Sequence, residues 1–181
     1  MMKEARNIVL TGFMGTGKTT VGKTLAEWVT FDFADMDSII EKEAGKTIPE
    51  IFAEKGEAGF RQQEKETAQR LSRGSKQVIA TGGGTVKDPE NMKALGEAGV
   101  IVCLTASVDT ILQRTEAQGK RPLLDEAGED RRAAVEKLLA ERDSLYREAD
   151  YIIETDGKTP DEVAGEIFSR FELDSVMLPS C

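Results

Sequence analysis

Short apolar runs alternate along this chain with longer stretches in which apolar residues recur every three or four positions, the pattern of strands alternating with amphipathic helices. The first run, 7–11, leads straight into Gly12. Beyond a glycine-rich loop, Val21, Leu25, Trp28 and Val29 return at helical spacing, which predicts a helix from near Lys18. A second extended segment, 31–34, ends in Asp35-Met36-Asp37. Residues 38–71 read as helical, broken by Gly45, by Pro49 and by a turn between Gly56 and Gly59. A third strand, 78–81, runs into Gly82-Gly83-Gly84, a helix follows Pro89, and a fourth strand spans 100–104. Ser107 is placed to cap a helix carrying Ile111 and Leu112. The charged stretch 119–130, with Gly119, Pro122 and Gly128, reads as a mobile loop. Residues 131–146 form a helical pattern, 151–154 a last strand, and Pro160 opens a last helix with Val163, Ile167 and Phe171 inward.

Five strands alternating with helices predict an α/β fold, a parallel sheet covered on both faces. No internal repeat or break in composition marks a second domain. The expectation is one domain over 1–173, with an excursion at about 38–75, a lid at about 118–130 and a disordered tail at 174–181.

Composition narrows the function more than the fold. With 39% hydrophobic and 31% charged residues, the chain of 181 residues suits one globular core. A net charge of -9 argues against a nucleic-acid partner, while leaving room for a local cluster of arginines on a small anion. No stretch approaches the roughly 20 apolar residues of a membrane span, and the run 8–10 is too short for a signal peptide. A cytoplasmic protein without membrane partners is expected. Cys103, inside an apolar run, reads as a core residue, and Cys181 stands in the wrong place for prenylation. The chain has no histidine, so any general base must be Asp, Glu, Lys or water.

Residues 12–19, Gly-Phe-Met-Gly-Thr-Gly-Lys-Thr, match the phosphate-binding pattern G-x-x-x-x-G-K-[ST], and they join a strand to a helix as that loop requires. Backbone N–H groups and the helix N-terminus would cradle phosphates, Lys18 would reach the β- and γ-phosphates, and the Thr19 hydroxyl would ligate Mg²⁺. There is no Asn-Lys-x-Asp guanine reader, and the strand 78–81 ends in glycines instead of an aspartate. The carboxylate near the metal must come from elsewhere, and Asp35 is the best placed. In extended geometry Asp35 and Asp37 point to the same side, one toward the metal and one toward a substrate hydroxyl. Equally, Asp37 could cap the helix from Ser38, with Asp35 solvated.

Arg142 falls within the apolar stripe Val135, Leu138, Leu139, Leu145 and Tyr146, where a guanidinium needs an anion such as a substrate carboxylate, unless it snorkels or pairs with a protein acid. Arg61 precedes Glu64 by three residues. The pair is either an ordinary surface pair or, since Glu64 shares the stripe of Phe60, Ala68 and Leu71, an inward acid orienting the arginine. Arg121 would reach a transferring phosphoryl group from the lid, or is one more exposed charge. The triple glycine 82–84 permits close backbone approach to a ligand, or is a flexible turn.

In their order, the phosphate loop at 12–19, Asp-Met-Asp at 35–37, Gly-Phe-Arg with a following Glu at 59–64, the glycines 82–84, Arg-Pro-Leu-Leu at 121–124 and the Glu-Arg before Leu145-Tyr146 resemble the shikimate kinase family. That family lies within the nucleoside-monophosphate-kinase-like P-loop group, and the resemblance covers about residues 6–170. It implies a three-layer P-loop NTPase fold with strand order 2-3-1-4-5. The implied reaction is transfer of the ATP γ-phosphoryl group to the 3-hydroxyl of shikimate, giving shikimate 3-phosphate for aromatic amino acid (chorismate) biosynthesis. ATP and Mg²⁺ are the implied cofactors, shikimate is the small-molecule partner, and a monomer is expected. The resemblance puts Gly15, Thr16, Gly17, Lys18, Thr19 and Thr20 on the nucleotide, with Thr19 and Asp35 on the metal. Arg114 would lie near the adenine, Lys158 would stand in the loop 155–160 that passes the base, and Arg121 would touch the phosphates. Shikimate would meet Asp37, Arg61, Gly82, Gly83, Gly84 and Arg142, with Arg61 and Arg142 on its carboxylate. Lys18, Asp37 and Arg121 would be catalytic. A gluconate-type or nucleoside-monophosphate kinase on the same scaffold is the nearest rival, and a non-catalytic sensor is the rival from another class.

Overall fold

Every residue of the first strand, β1 (Asn7–Gly12), is buried, and alternation along it sends Ile8 and Leu10 into one apolar layer and Val9 into another. A strand apolar on both faces belongs in the middle of a covered parallel sheet. That is its place in the structure, a computed structural model that describes residues 6–116 and 130–177. The other strands are β2 (Asp32–Asp35), β3 (Gln77–Ala80), β4 (Gly99–Thr105) and β5 (Tyr151–Glu154), and the sheet order is β2-β3-β1-β4-β5. All pairings are parallel, with Leu10 opposite Ala80 on one side and Val102 on the other. Strands β3 and β4 begin one residue before their apolar runs, because Gln77 pairs with Asp32 and Gly99 with Asn7. The ladder, rather than side-chain hydrophobicity, sets those ends.

Helices α1 (Lys18–Val29) and α7 (Pro160–Met177) cover one face, where Leu25, Val163 and Ile167 meet Ile8, Leu10 and Val102. The other face carries α2 (Met36–Ala44), α3 (Ile48–Leu71) and α4 (Pro89–Ala98), with Met36, Ala68 and Leu95 against Val9 and Ile79. Helices α5 (Val108–Glu116) and α6 (Arg131–Tyr146) enclose a third cluster of Phe13, Cys103, Ile111, Val135 and Tyr146. The Cys103 thiol is fully buried, and burial pushes it up to about 11 despite the Lys18 charge nearby. It is a core residue. Among the described residues no helix is long and apolar enough to cross a membrane.

The structure departs from the sequence pattern in several places. Trp28 is 47% exposed, because the inward stripe of α1 is Val21, Gly22, Leu25 and Ala26, and the indole lies at its margin against Gly165 of α7. Pro49 opens α3 rather than breaking it; in the first turn its missing N–H costs nothing. A capping box with Glu50 Oε2 accepting from the Thr47 N–H at 2.7 Å completes that start. The turn expected over 56–59 reduces to Gly56 alone, at φ 69° and ψ -178°. Helix α7 runs on to Met177, beyond the expected limit at residue 173. Ser107 does cap α5, accepting from the Thr110 N–H at 3.3 Å.

Candidate active site

Strand β1 ends at the point where the chain, having placed β2 and β3 on one side, crosses to place β4 and β5 on the other. Open α/β sheets bind ligands at such switch points, outside the carboxyl ends of the strands. Residues 12–19 turn there through left-handed Gly15 (φ 77°) and Gly17 (φ 96°), and α1 starts at Lys18, so its positive end faces the loop. Buried Thr16 shapes the loop by donating its hydroxyl to the Phe13 carbonyl at 2.8 Å. The Lys18 ammonium donates to the carbonyls of Gly12 at 2.8 Å and Phe13 at 2.9 Å. Gly15, Gly17, Lys18, Thr19, Thr20 and Asp35 line a cleft of about 100 Å³.

Asp35 does not share an extended segment with Asp37. It ends β2 and caps α2, with Oδ1 accepting from the Ser38 N–H at 3.1 Å and Oδ2 accepting from the Thr19 hydroxyl at 2.7 Å. Asp37 already stands in the first turn of α2. The cap is therefore Asp35, since its extended backbone (φ -102°, ψ 116°) suits the N-cap while Asp37 is helical. Both carboxylates nevertheless line the same cleft, because the strand-to-helix turn folds around its mouth.

A second cavity, of about 180 Å³, adjoins the first. Ile48, Pro49, Phe52 and Phe60 form an apolar wall, with Phe52 and Phe60 in ring contact at 4.9 Å. Opposite stand Asp37, Arg61, Glu64, Arg142 and the backbone of residues 82–84. Asp37, Met14 and Gly83 line both cavities, so the phosphate cleft and the second cavity meet at Asp37.

The two arginines reach this cavity in different electrical states. Glu64 is 1% exposed, and its carboxylate accepts from Arg61 Nη1 at 2.8 Å and from the Thr85 hydroxyl at 2.6 Å. Arg61 also donates to Glu57 from two nitrogens at 3.3 Å and lies over the Phe60 ring. Burial alone would pull its pKa down, but Glu64 and then Glu57 hold it above the ordinary value. Arg142 is 3% exposed, and its partners among the described residues are neutral. Its Nη1 donates to the Gly83 carbonyl at 2.8 Å, the face of Phe13 lies 5.5 Å away, and its buried Nε has no hydrogen-bond partner. Among the described residues, burial argues against snorkelling and no acidic side chain pairs with this cation.

The glycines are spatial requirements of the cavity. A Cβ on Gly84 would lie 2.7 Å from both terminal nitrogens of Arg61, and one on Gly82 would lie 2.9 Å from Asp37 Oδ1 and 3.0 Å from Glu64 Oε1. A phosphate cleft thus opens, at a shared carboxylate, onto a cavity with an apolar wall and a guanidinium that has no acidic partner among the described residues. That is the layout of a kinase for a small carboxylic acid bearing hydroxyls.

Comparison with known proteins decides the family. The family model for shikimate kinase matches residues 14–172. The chain belongs to the shikimate kinase family. It is 48% identical to a shikimate kinase of Thermodesulfovibrio yellowstonii over 92% of this chain and 95% of that one. A shikimate kinase of Caldanaerobacter subterraneus is 47% identical, over 92% of this chain and 96% of that one. Among solved structures, shikimate kinase from Acinetobacter baumannii in complex with shikimate superposes with a TM-score of 0.89 at 40% identity, covering 94% of each chain. A gluconokinase from Sinorhizobium meliloti superposes at 0.63 with 15% identity over 94% of each chain, and so shares the fold alone. The activity is that of the family: ATP-dependent transfer of a phosphoryl group to the 3-hydroxyl of shikimate, giving shikimate 3-phosphate for aromatic amino acid biosynthesis.

Beside the loop 12–19, Arg114 bridges two loops, donating to the Gly15 carbonyl at 3.2 Å, the Thr155 hydroxyl at 3.0 Å and the Thr155 carbonyl at 3.2 Å. Lys158 turns to Glu166 of α7 at 2.8 Å instead of joining the lining of the phosphate cleft. Asp156 fastens the same loop to α5, accepting from the Ser107 N–H at 2.8 Å, the Ser107 hydroxyl at 2.6 Å and the Thr110 hydroxyl. Partial burial would raise its pKa, but those hydrogen bonds and Arg114 hold its carboxyl below the ordinary range. Arg121 and most of the lid lie outside the described residues.

Three contributors were not singled out from sequence. Tyr146, in the same inward stripe as Arg142, donates its hydroxyl to the Gly83 carbonyl at 2.9 Å. Thr85 holds Glu64, and only its place after the triple glycine hinted at a role. Asp156 lies in a polar loop that carries no pattern at all.

Proposed function

We propose that the acceptor binds in the 180 Å³ cavity with its carboxylate on Arg142 and Arg61, its ring against the Phe52–Phe60 wall, and its reacting hydroxyl at Asp37. The observation that carries this reading is that Asp37 lines both cavities, so a hydroxyl held there faces the phosphate cleft. Arg142 supplies the strongest hold on the carboxylate, because a nearly buried guanidinium with neutral partners gains most from an anion. Arg61, held in place by Glu64, adds a second set of donors.

Lys18 moves from the Gly12 and Phe13 carbonyls to the β- and γ-phosphates when ATP enters. Asp37 orients the hydroxyl and accepts its proton, and the chain has no histidine to do so. Arg121, outside the described residues, would stabilise charge on the phosphates, and Lys158 and Arg114 belong to the base side. Most of the rate then comes from positioning and from charge stabilisation.

The residues present fit Mg²⁺. Thr19 and Asp35 offer two hard oxygen donors 2.7 Å apart, and among the described residues no group of three or more acidic, histidine or cysteine side chains could cage an ion. Such a sparse set suits a cation that keeps waters and substrate phosphates as its other ligands. Bound there, Mg²⁺ would neutralise charge on the β- and γ-phosphates. The chain is read as a cytoplasmic monomer without nucleic-acid or membrane partners.

Replacing Asp37 by Asn tests the chemistry. The expected outcome is a kcat lower by at least ~10²-fold with ATP affinity retained, read by steady-state kinetics and nucleotide titration. Near-normal turnover would remove Asp37 from the reaction.

A further inference from the structure

Two donors converge on one backbone oxygen beside the acceptor cavity. The Gly83 carbonyl accepts from Arg142 Nη1 at 2.8 Å and from the Tyr146 hydroxyl at 2.9 Å. The pairing follows from the sequence, since 142 and 146 are four residues apart on α6 and therefore share a face. A carbonyl has two lone pairs, so both bonds form at once. Tyr146 is 6% exposed, and burial pushes its pKa up to about 12 although Arg142 beside it pulls the other way. The phenol therefore remains a donor throughout any working pH range.

A buried tyrosine needs a partner for its hydroxyl, and a core residue satisfied by a nearby carbonyl would be unremarked. The choice of carbonyl is what matters here. Gly83 lines both cavities, and its carbonyl is the oxygen that Arg142 uses. When the guanidinium turns toward an acid in the cavity, its bond to Gly83 weakens or breaks. An oxygen left with no protein donor in this half-buried turn would oppose that movement. The Tyr146 bond removes the opposition.

We propose that Tyr146 is a positioning residue for the acceptor: by holding the Gly83 carbonyl, its hydroxyl frees Arg142 to engage the carboxylate of the substrate. This rests on the reading that Arg142 binds that carboxylate. In a Tyr146→Phe variant, which keeps the packing and loses only the hydroxyl, Gly83 and Arg142 hold each other alone, and the acid must compete for the guanidinium.

Steady-state kinetics of Tyr146→Phe, Arg142→Ala and the double variant, alongside thermal melting, test the idea. The expected result is a KM for shikimate raised about tenfold in Tyr146→Phe, with kcat and the KM for ATP within about twofold. In the Arg142→Ala background the second substitution should add no further penalty, because Tyr146 acts through Arg142. An unchanged KM for shikimate in Tyr146→Phe, while Arg142→Ala raises it strongly, overturns the role of Tyr146 and leaves the acceptor reading standing. Equal losses toward both substrates, a collapse in melting temperature, or additive penalties in the double variant also overturn it, in favour of a purely structural tyrosine. If Arg142→Ala itself leaves the KM for shikimate unchanged, the acceptor reading fails and this inference falls with it.

Discussion

Arg142 and Arg61 present the same functional group to one cavity, but they differ in what already balances their charge. Arg61 has Glu64 at 2.8 Å and Glu57 at 3.3 Å, whereas the partners of the more deeply buried Arg142 are a carbonyl and an aromatic face. Taking a cation out of water costs several kcal/mol unless an anion compensates. On the proposed reading, Arg142 is the residue whose charge the substrate completes. Replacing it by Ala should raise the KM for shikimate by roughly 30-fold or more, the equivalent of about 2 kcal/mol, and the KM for ATP by less than about threefold. Arg61→Ala should give a smaller penalty in the same assay, because its carboxylate partners already hold its charge. Equal effects of Arg142→Ala on both substrates would mark it as structural.

The turn after β3 shows how an element carries chemistry without a reactive side chain. Gly82 lies so close to Asp37 and Glu64, and Gly84 to Arg61, that a side chain at either would displace groups the site needs. Gly84→Ala places a methyl group 2.7 Å from the ends of Arg61, a flexible side chain that can swing away. The fold should survive, with a melting temperature lowered by less than about 4 °C, while the KM for shikimate rises about tenfold or more. Loss of stability with normal kinetics in the survivor would contradict this. That turn was legible only in part, because three glycines after a strand permit either close approach to a ligand or a simple flexible turn. The five strands, the phosphate loop, the inward Glu64 and the buried Arg142 were legible because each breaks or keeps a simple periodicity. Asp35 and Asp37 were misread as one extended segment because the strand-to-helix boundary falls between them, and a boundary depends on ladder pairing rather than on residue type. Asp156 was invisible because its partners, Ser107 and Thr110, lie some 50 positions away in the chain. The exposure of Trp28 was not legible because a helical stripe marks a face without saying where the neighbouring helix stops covering it.

The crossing of the chain from one side of β1 to the other brings the two cavities together across the whole molecule. Strand β1 delivers the phosphate loop, β2 the two aspartates, β3 the glycines, and α6 returns from the other side with Arg142 and Tyr146. If Thr19 and Asp35 hold the metal as proposed, with no acidic cluster among the described residues to cage it, the ion should matter to catalysis and little to the fold. Chelation by EDTA should abolish turnover, and added Mg²⁺ should restore it. Without nucleotide, the melting temperature should move by less than about 1 °C between the two conditions, since little binding energy is linked to folding. A large stabilisation by the metal alone would reveal a cage that these residues do not form. On the proposed reading, the joined cavities select an acid with a hydroxyl that reaches from Arg142 to Asp37. Coupled measurement of ADP release with ATP and Mg²⁺ across shikimate, gluconate and nucleoside monophosphates addresses that directly. Turnover should depend on shikimate, with kcat/KM at least ~10²-fold above every other acceptor. Comparable turnover with gluconate or a nucleoside monophosphate, or none with shikimate, would contradict it.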